Sequence, residues 1–180
     1  ADPSAQVRWR KQVAMEGDQR VHSILKTADG GFVVIGSTQS VDDRVDGLAV
    51  KVDSEGGRQW TAIVSGGSES AVAACEVPDG GFVVAGATAS SDSRGDGLLT
   101  RVSGTGAVLW QRRVDAALRA VLPALDGGCL AAGISGSGTA GGFDFWLVKV
   151  DANGQTQWKR TYGVGGDDAP APIRIVQMPD

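Results

Sequence analysis

The sequence predicts an all-β chain built from four-stranded antiparallel blades, a β-propeller or part of one. Three observations predict it. Glycine is abundant, at 27 of 180 residues against only six prolines, about twice the usual share of ~7%. The chain repeats itself with a period of 50 and then 47 residues. Each period holds four short strand patterns separated by glycine turns, which is the signature of a propeller blade. The glycines are not every third residue, so a collagen-like chain is excluded, and 42% hydrophobic residues exclude a disordered tail.

The repeat is legible in three places. DGGFVVIGSTQS begins at Asp29, DGGFVVAGATAS at Asp79 and DGGCLAAGISGS at Asp126. A second match follows each: DGLAVKVDSEG from Asp46, DGLLTRVSGTG from Asp96 and DFWLVKVDANG from Asp144. Each unit then reaches a tryptophan, Trp60, Trp110 or Trp158, at 31, 31 and 32 residues from its first aspartate. The units cover about 21–64, 70–114 and 118–162 of one repeat domain spanning 1–180. RWRKQV around Trp9 resembles the Trp segments, and IRIVQMPD resembles the segments before each DGG. Flanking strands are therefore expected over 7–13 and 172–178.

In unit one the strands are expected over 21–27 (A), 31–37 (B), 47–53 (C) and 59–64 (D). The A–B join is Asp-Gly-Gly, a tight-hairpin signal that needs positive φ. The C–D join is Asp-Ser-Glu-Gly, Ser-Gly-Thr-Gly or Asp-Ala-Asn-Gly, a turn closing on glycine. Strand B is nearly all apolar, which fits burial on both faces. Strand C alternates, with Leu48, Val50 and Val52 on one face and Ala49 and Lys51 on the other. The stretch 118–125 has a half-helical look, but Pro123 and its place in the repeat make it strand A. After Trp110 unit two has RRVDAALRA in place of a longer Gly-rich stretch, so its D–A loop is short and that edge is expected to be irregular.

A closed propeller needs about four or more blades, and three units are present. The chain is then a fragment of a larger ring, or it associates with itself or another chain to complete the ring. The alternative is a β-trefoil-like threefold arrangement, in which the extra Trp segment and the extra A strand would be surplus.

The motif DGGFVVAGATAS, then DGLLTRVSGTG, then a Trp, resembles the blades of exported bacterial and archaeal propeller proteins. The resemblance covers almost the whole chain. It implies an extracellular or periplasmic module, and the start at Ala1 suits a mature chain whose leader has been removed. It implies no particular ligand.

Composition narrows the function. The net charge of -4 argues against general nucleic-acid binding, which needs a basic face. No apolar run reaches the ~18 residues of a membrane helix. Two cysteines, Cys75 and Cys129, sit in apolar surroundings and read as buried small hydrophobes, with a bridge between them left open. With His22 as the one histidine, no zinc site is expected. DDRVD lacks the order of a calcium loop, and no metal or cofactor is implied.

Several residues are candidates for more than packing. Asp46, Asp96 and Asp144 open strand C and are read as structural, the alternative being a carboxylate ring for a cation or sugar. Lys51, Arg101 and Lys149 recur in strand C. They are expected to pair with a neighbouring carboxylate, because a lone buried charge is costly; a cationic channel lining is the alternative. Trp9, Trp60, Trp110 and Trp158 are expected to pack. Trp146 replaces Leu48 and Leu98 of the other units, and either fills a gap or stands exposed as an interaction anchor. The B–C loops differ most, and function concentrates on loops held by a rigid scaffold. Asp42, Asp43, Arg44, Asp92 and Arg94 there, with Trp146, are the candidate binding residues. The acidic D–A loops at 16–18 and 166–168 are a second candidate.

No nucleophile elbow, triad, P-loop or dinucleotide fingerprint is present, so catalysis is not expected. The first expectation is a non-enzymatic module that binds a protein, such as an inhibitor or immunity-type protein. The second is a carbohydrate-binding module, and the third a glycosidase-like hydrolase using two carboxylates.

Overall fold

The structure is a computed structural model that describes residues 9–12, 17–39, 44–65, 69–88, 96–136 and 144–163. The described residues form three four-stranded antiparallel sheets and no helix. Sheet one holds β1 (Asp18–Lys26), β2 (Phe32–Gln39), β3 (Val45–Val52) and β4 (Arg58–Ile63). Sheet two holds β5 (Glu69–Glu76), β6 (Phe82–Thr88), β7 (Gly97–Val102) and β8 (Val108–Val114). Sheet three holds β9 (Ala117–Pro123), β10 (Cys129–Ser135), β11 (Asp144–Val150) and β12 (Thr156–Tyr162). Each sheet is a simple meander, so the three repeat units are three blades. Three separate meanders replace the trefoil alternative, and the described sheets do not close into a ring.

The turns explain why the meander forms. In the first A–B join the Gly30 amide donates to the Thr27 carbonyl at 3.0 Å, and Gly30 holds φ at +83°. Only the first glycine of the pair needs the left-handed region, as in a type I turn closed by a bulge. The second is needed for space: a Cβ on Gly31 would lie 2.3 Å from the Val52 carbonyl oxygen and 2.5 Å from Lys51 Nζ.

The A strands carry the stacking. β5 lies across β1, β2 and β3 of the preceding sheet, and β9 lies across β5 and β6. Between sheets one and two, Val33, Ile35, Ala49, Ala62 and Val64 meet Ala71, Phe82, Val84 and Val102. Between sheets two and three, Cys75, Val83, Ala85 and Leu99 meet Leu118, Cys129, Ala131, Trp146, Val148 and Val150. Each fully buried Val, Leu or Ile side chain there stabilises by ~1.5–3 kcal/mol relative to exposure. The alternation expected in strand C is present, since Leu48, Val50 and Val52 form a separate cluster on the opposite face of sheet one.

Trp146 belongs to this core and is only 5% exposed. It is therefore a gap filler, and the reading of it as an exposed binding anchor is corrected. The reason is volume. Unit two places Phe82 and Val84 on its face toward the preceding sheet, where unit three has only Cys129 and Ala131. The larger ring at the Leu98 position makes up the difference, and close packing requires such compensation.

Cys75 and Cys129 are both buried free thiols, so no bridge joins them. Burial pushes the Cys75 thiol up, and the Cys129 thiol up to about 12, so both stay protonated as small hydrophobes. The D–A join of unit two is indeed short: Asp115 and Ala116 alone separate β8 from β9. Residues 9–12 are described and form no strand, so the expected strand over 7–13 is not seen in them. The segment 172–178 lies outside the described residues.

Candidate functional site

Strand C brings one cation per blade into contact with the A–B turn. Lys51 Nζ, only 4% exposed as a side chain, donates to both Asp29 oxygens at 3.0 and 2.8 Å. Arg101 Nη2 does the same to Asp79 at 2.5 and 2.6 Å. Lys149 Nζ reaches Asp126 at 2.5 Å. Each aspartate also accepts the amide two residues on, from Gly31, Gly81 or Gly128. The pairing expected from sequence is therefore present, and its partner is the turn aspartate.

These contacts set the acidities. The Lys51 ammonium holds the Asp29 carboxyl far below the usual carboxylate range, helped by the Thr27 hydroxyl and the Gly31 amide. The Arg101 guanidinium and then the Gly81 amide lower Asp79, and Lys149 and the Gly128 amide lower Asp126. Asp144 is buried at 3% exposed, and its Oδ1 has no partner among the described residues. Asp96 is exposed and Asp46 half-buried. The same position thus has three environments, which does not make a uniform carboxylate ring.

The tryptophans carry a second recurrent contact, between blades. Trp60 Nε1 donates to the Gly104 carbonyl at 2.9 Å, and Trp110 Nε1 donates to the Ala152 carbonyl at 2.9 Å. In both cases the acceptor belongs to the C–D turn of the next sheet, and the indole covers the left-handed glycine that closes the turn. Gly106 and Gly154 hold φ at +92° and +76°, and a Cβ on either would lie 3.0 Å or less from the ring. Trp9 repeats the contact on the first turn, donating to the Ser54 carbonyl at 3.1 Å and covering Gly56. Arg112 adds a second donor, its Nε lying 2.9 Å from the Gly154 carbonyl.

A polar groove of about 350 Å³ opens at the B–C end, between sheet one and the start of β5, lined by Asp18, Arg20, His22, Ser37, Gln39, Val45 and Ser70. Its walls are strands, so its side chains start from fixed positions. His22 Nδ1 lies 2.8 Å from the Ala71 carbonyl, which ties the groove to sheet two. Arg44 is exposed and directly precedes Val45 at its rim. Asp42, Asp43, Asp92 and Arg94 lie outside the described residues. Arg20, Ser37 and Ser70 were not singled out from sequence, since they show neither the repeat nor a motif. Among the described residues no group of three or more His, Cys, Asp or Glu side chains is placed to hold a metal, and no helix is long and apolar enough to cross a membrane.

No family model matches the chain, and no curated protein matches it. The chain is similar in fold to a solved structure of a protein of unknown function from Bacteroides caccae. The TM-score is 0.52 at 17% identity, over 84% of this chain and 49% of that one. The chain thus spans about half the length of that structure.

Proposed function

We propose that this chain is a non-enzymatic protein-binding module that recognises its partner through the B–C end of its blades. The groove beside Arg44 carries the reading. It sets an acid, Asp18, beside two bases, Arg20 and His22, on rigid strands at the end where the variable loops leave the sheets. Charges of both signs held in register give a protein partner specificity and orientation. An inhibitor or immunity-type protein fits this description, and the blade resemblance supports an exported, extracellular or periplasmic setting.

The test is affinity capture from the native periplasm or medium with wild-type chain and with the Arg20→Glu, Arg44→Glu pair. A protein retained by wild type and lost by the charge-reversed pair supports the reading. Equal retention by both removes it. A glycan array that lights up on one sugar class with no protein captured would transfer the groove to the carbohydrate-binding alternative. Turnover of a glycoside by wild type, abolished by an Asp or Glu replacement, would favour a hydrolase.

A further inference from the structure

Unit three carries the donor half of the inter-blade contact, and nothing among the described residues receives it. Trp158 and Arg160 in β12 occupy the places of Trp110 and Arg112 in β8. Trp110 and Arg112 together straddle the Ala152–Gly154 turn of the next sheet. Among the described residues no carbonyl accepts the Trp158 indole N–H. The ring is 40% exposed, and the Arg160 guanidinium rests over it at 6.0 Å from its centroid. The sheet below is open as well. Leu130 and Leu147 are half-buried, whereas their counterparts Val33, Val83, Ala49 and Leu99 are 0% exposed. Phe145 and Tyr162, paired across β11 and β12, are 46% and 54% exposed.

The matching half lies at the other end of the stack. The Ser54–Gly56 turn is covered by Trp9, which stands on a stretch with no strand pairing and is itself 42% exposed. Trp60 and Trp110, by contrast, project from paired strands. That turn carries Asp53 and Glu55, opposite in sign to Arg160 of β12. The chain aligns over 84% of its length with 49% of a solved fold, and two copies would supply six sheets, within the range in which propellers close.

We propose that sheet three of one copy receives sheet one of a second copy head to tail. Trp158 and Arg160 then replace Trp9 at the Ser54–Gly56 turn, and this contact, made twice, closes a ring of six sheets. Trp9 is a placeholder in the free chain.

Sedimentation velocity of the full chain between about 1 and 100 μM tests this. The expected result is a species of twice 18.4 kDa that grows with concentration. Trp158→Ala with Arg160→Ala should remain folded by circular dichroism and stay monomeric. Trp9→Ala should tighten association by about tenfold or more, the equivalent of removing one competing hydrogen-bonded contact. Gly56→Ala, whose Cβ would meet the ring, should be monomeric alone and should pair one-to-one with the Trp158→Ala, Arg160→Ala chain, since that mixture retains one intact joint. A wild-type chain that stays monomeric at 100 μM overturns the proposal. So does a dimer that survives loss of Trp158 and Arg160, or one that Trp9→Ala weakens. A dimer untouched by Gly56→Ala would show face-to-face pairing through sheet three alone, and would overturn it equally.

Discussion

The outward faces of sheets two and three are built from the same repeat and have opposite fates. On sheet two, Val83, Ala85 and Leu99 are completely buried, because sheet three lies on them. On sheet three the equivalent Leu130 and Leu147 are half-exposed, and Phe145 is 46% exposed. Arg101 is sealed at 3% side-chain exposure, whereas Lys149 reaches 16%. The difference teaches that a blade's sequence is written for a neighbour. Most apolar positions recur on this face in every unit, but sheet three sets Phe145 where sheets one and two have Gly47 and Gly97, whose missing side chains make room for the next sheet.

Substitutions can sharpen that contrast, beginning with the largest effect. Trp146→Ala should cost about 3–5 kcal/mol, because it opens a cavity in the joint between sheets two and three. Trp146→Leu should cost less but still measurably, because Cys129 and Ala131 leave the space that Phe82 and Val84 fill in unit two. Chemical denaturation of each variant measures both. If Trp146→Leu matched wild type, the volume-compensation account would be wrong.

Trp110→Ala comes next, at about 2 kcal/mol, from lost packing on Gly154 and one lost hydrogen bond. Trp158→Ala, its counterpart on the open face, should change monomer stability by less than ~0.5 kcal/mol, as surface substitutions usually do. Equal losses at the two sites, measured on dilute protein, would break the comparison between the faces.

The turn aspartates separate the faces electrostatically. Asp79→Ala strands the Arg101 guanidinium in a closed joint, so it should lower the melting temperature more than Asp126→Ala, after which Lys149 still reaches water. The sign of the pH dependence follows from the lowered acidities. These carboxyls have folded-state values below the unfolded value near 4. Their stabilisation is present above about pH 4 and is lost as pH falls through the folded values. A melting temperature of wild type that drops between about pH 4 and pH 2, with a shallower drop in Asp29→Ala and Asp79→Ala, is the expected outcome.

The smallest effect is at Arg101. Lys51 and Lys149 each donate to the carbonyl of the following residue as well as to the aspartate. Arg101 spends two bonds from Nη2 on Asp79 and leaves Nη1 buried without a partner among the described residues. Arg101→Lys should be neutral or stabilising by up to ~1 kcal/mol, and a loss larger than that would show that the Arg101 stem fills space the lysine cannot.

Much of the fold was legible in the sequence because it is local. Asp-Gly-Gly and the glycine-closed C–D turns fix hairpins through backbone geometry alone, and the strand ends of unit one fell within three residues of expectation. The pairing of Lys51 was legible as a need, since a buried cation requires a carboxylate. Its partner was not, because Asp29 and Asp46 both recur and only the three-dimensional register chooses between them. The inter-blade contact of Trp60 and Trp110 was visible as recurrence but not as geometry, for its acceptor lies more than 40 residues away in the next unit. Trp146 could have been placed by comparing Phe32, Phe82 and Cys129, because one unit's missing ring predicts another's extra one. The binding end was least legible: Arg20, Ser37 and Ser70 meet there only after the strands pair, and of the loop residues expected there Arg44 alone is described.

The outer face of sheet three carries the tryptophan of a contact made twice within the chain, left open among the described residues. Hydroxyl-radical footprinting of the five tryptophans at rising protein concentration tests it directly. In dilute protein Trp158 should label faster than Trp110, and Trp146 should be protected throughout. As concentration rises, Trp158 should fall to the level of Trp110 while Trp9 becomes more reactive. A Trp158 no more reactive than Trp110 in dilute protein, or one whose labelling ignores concentration while Trp9 stays unchanged, would contradict the account.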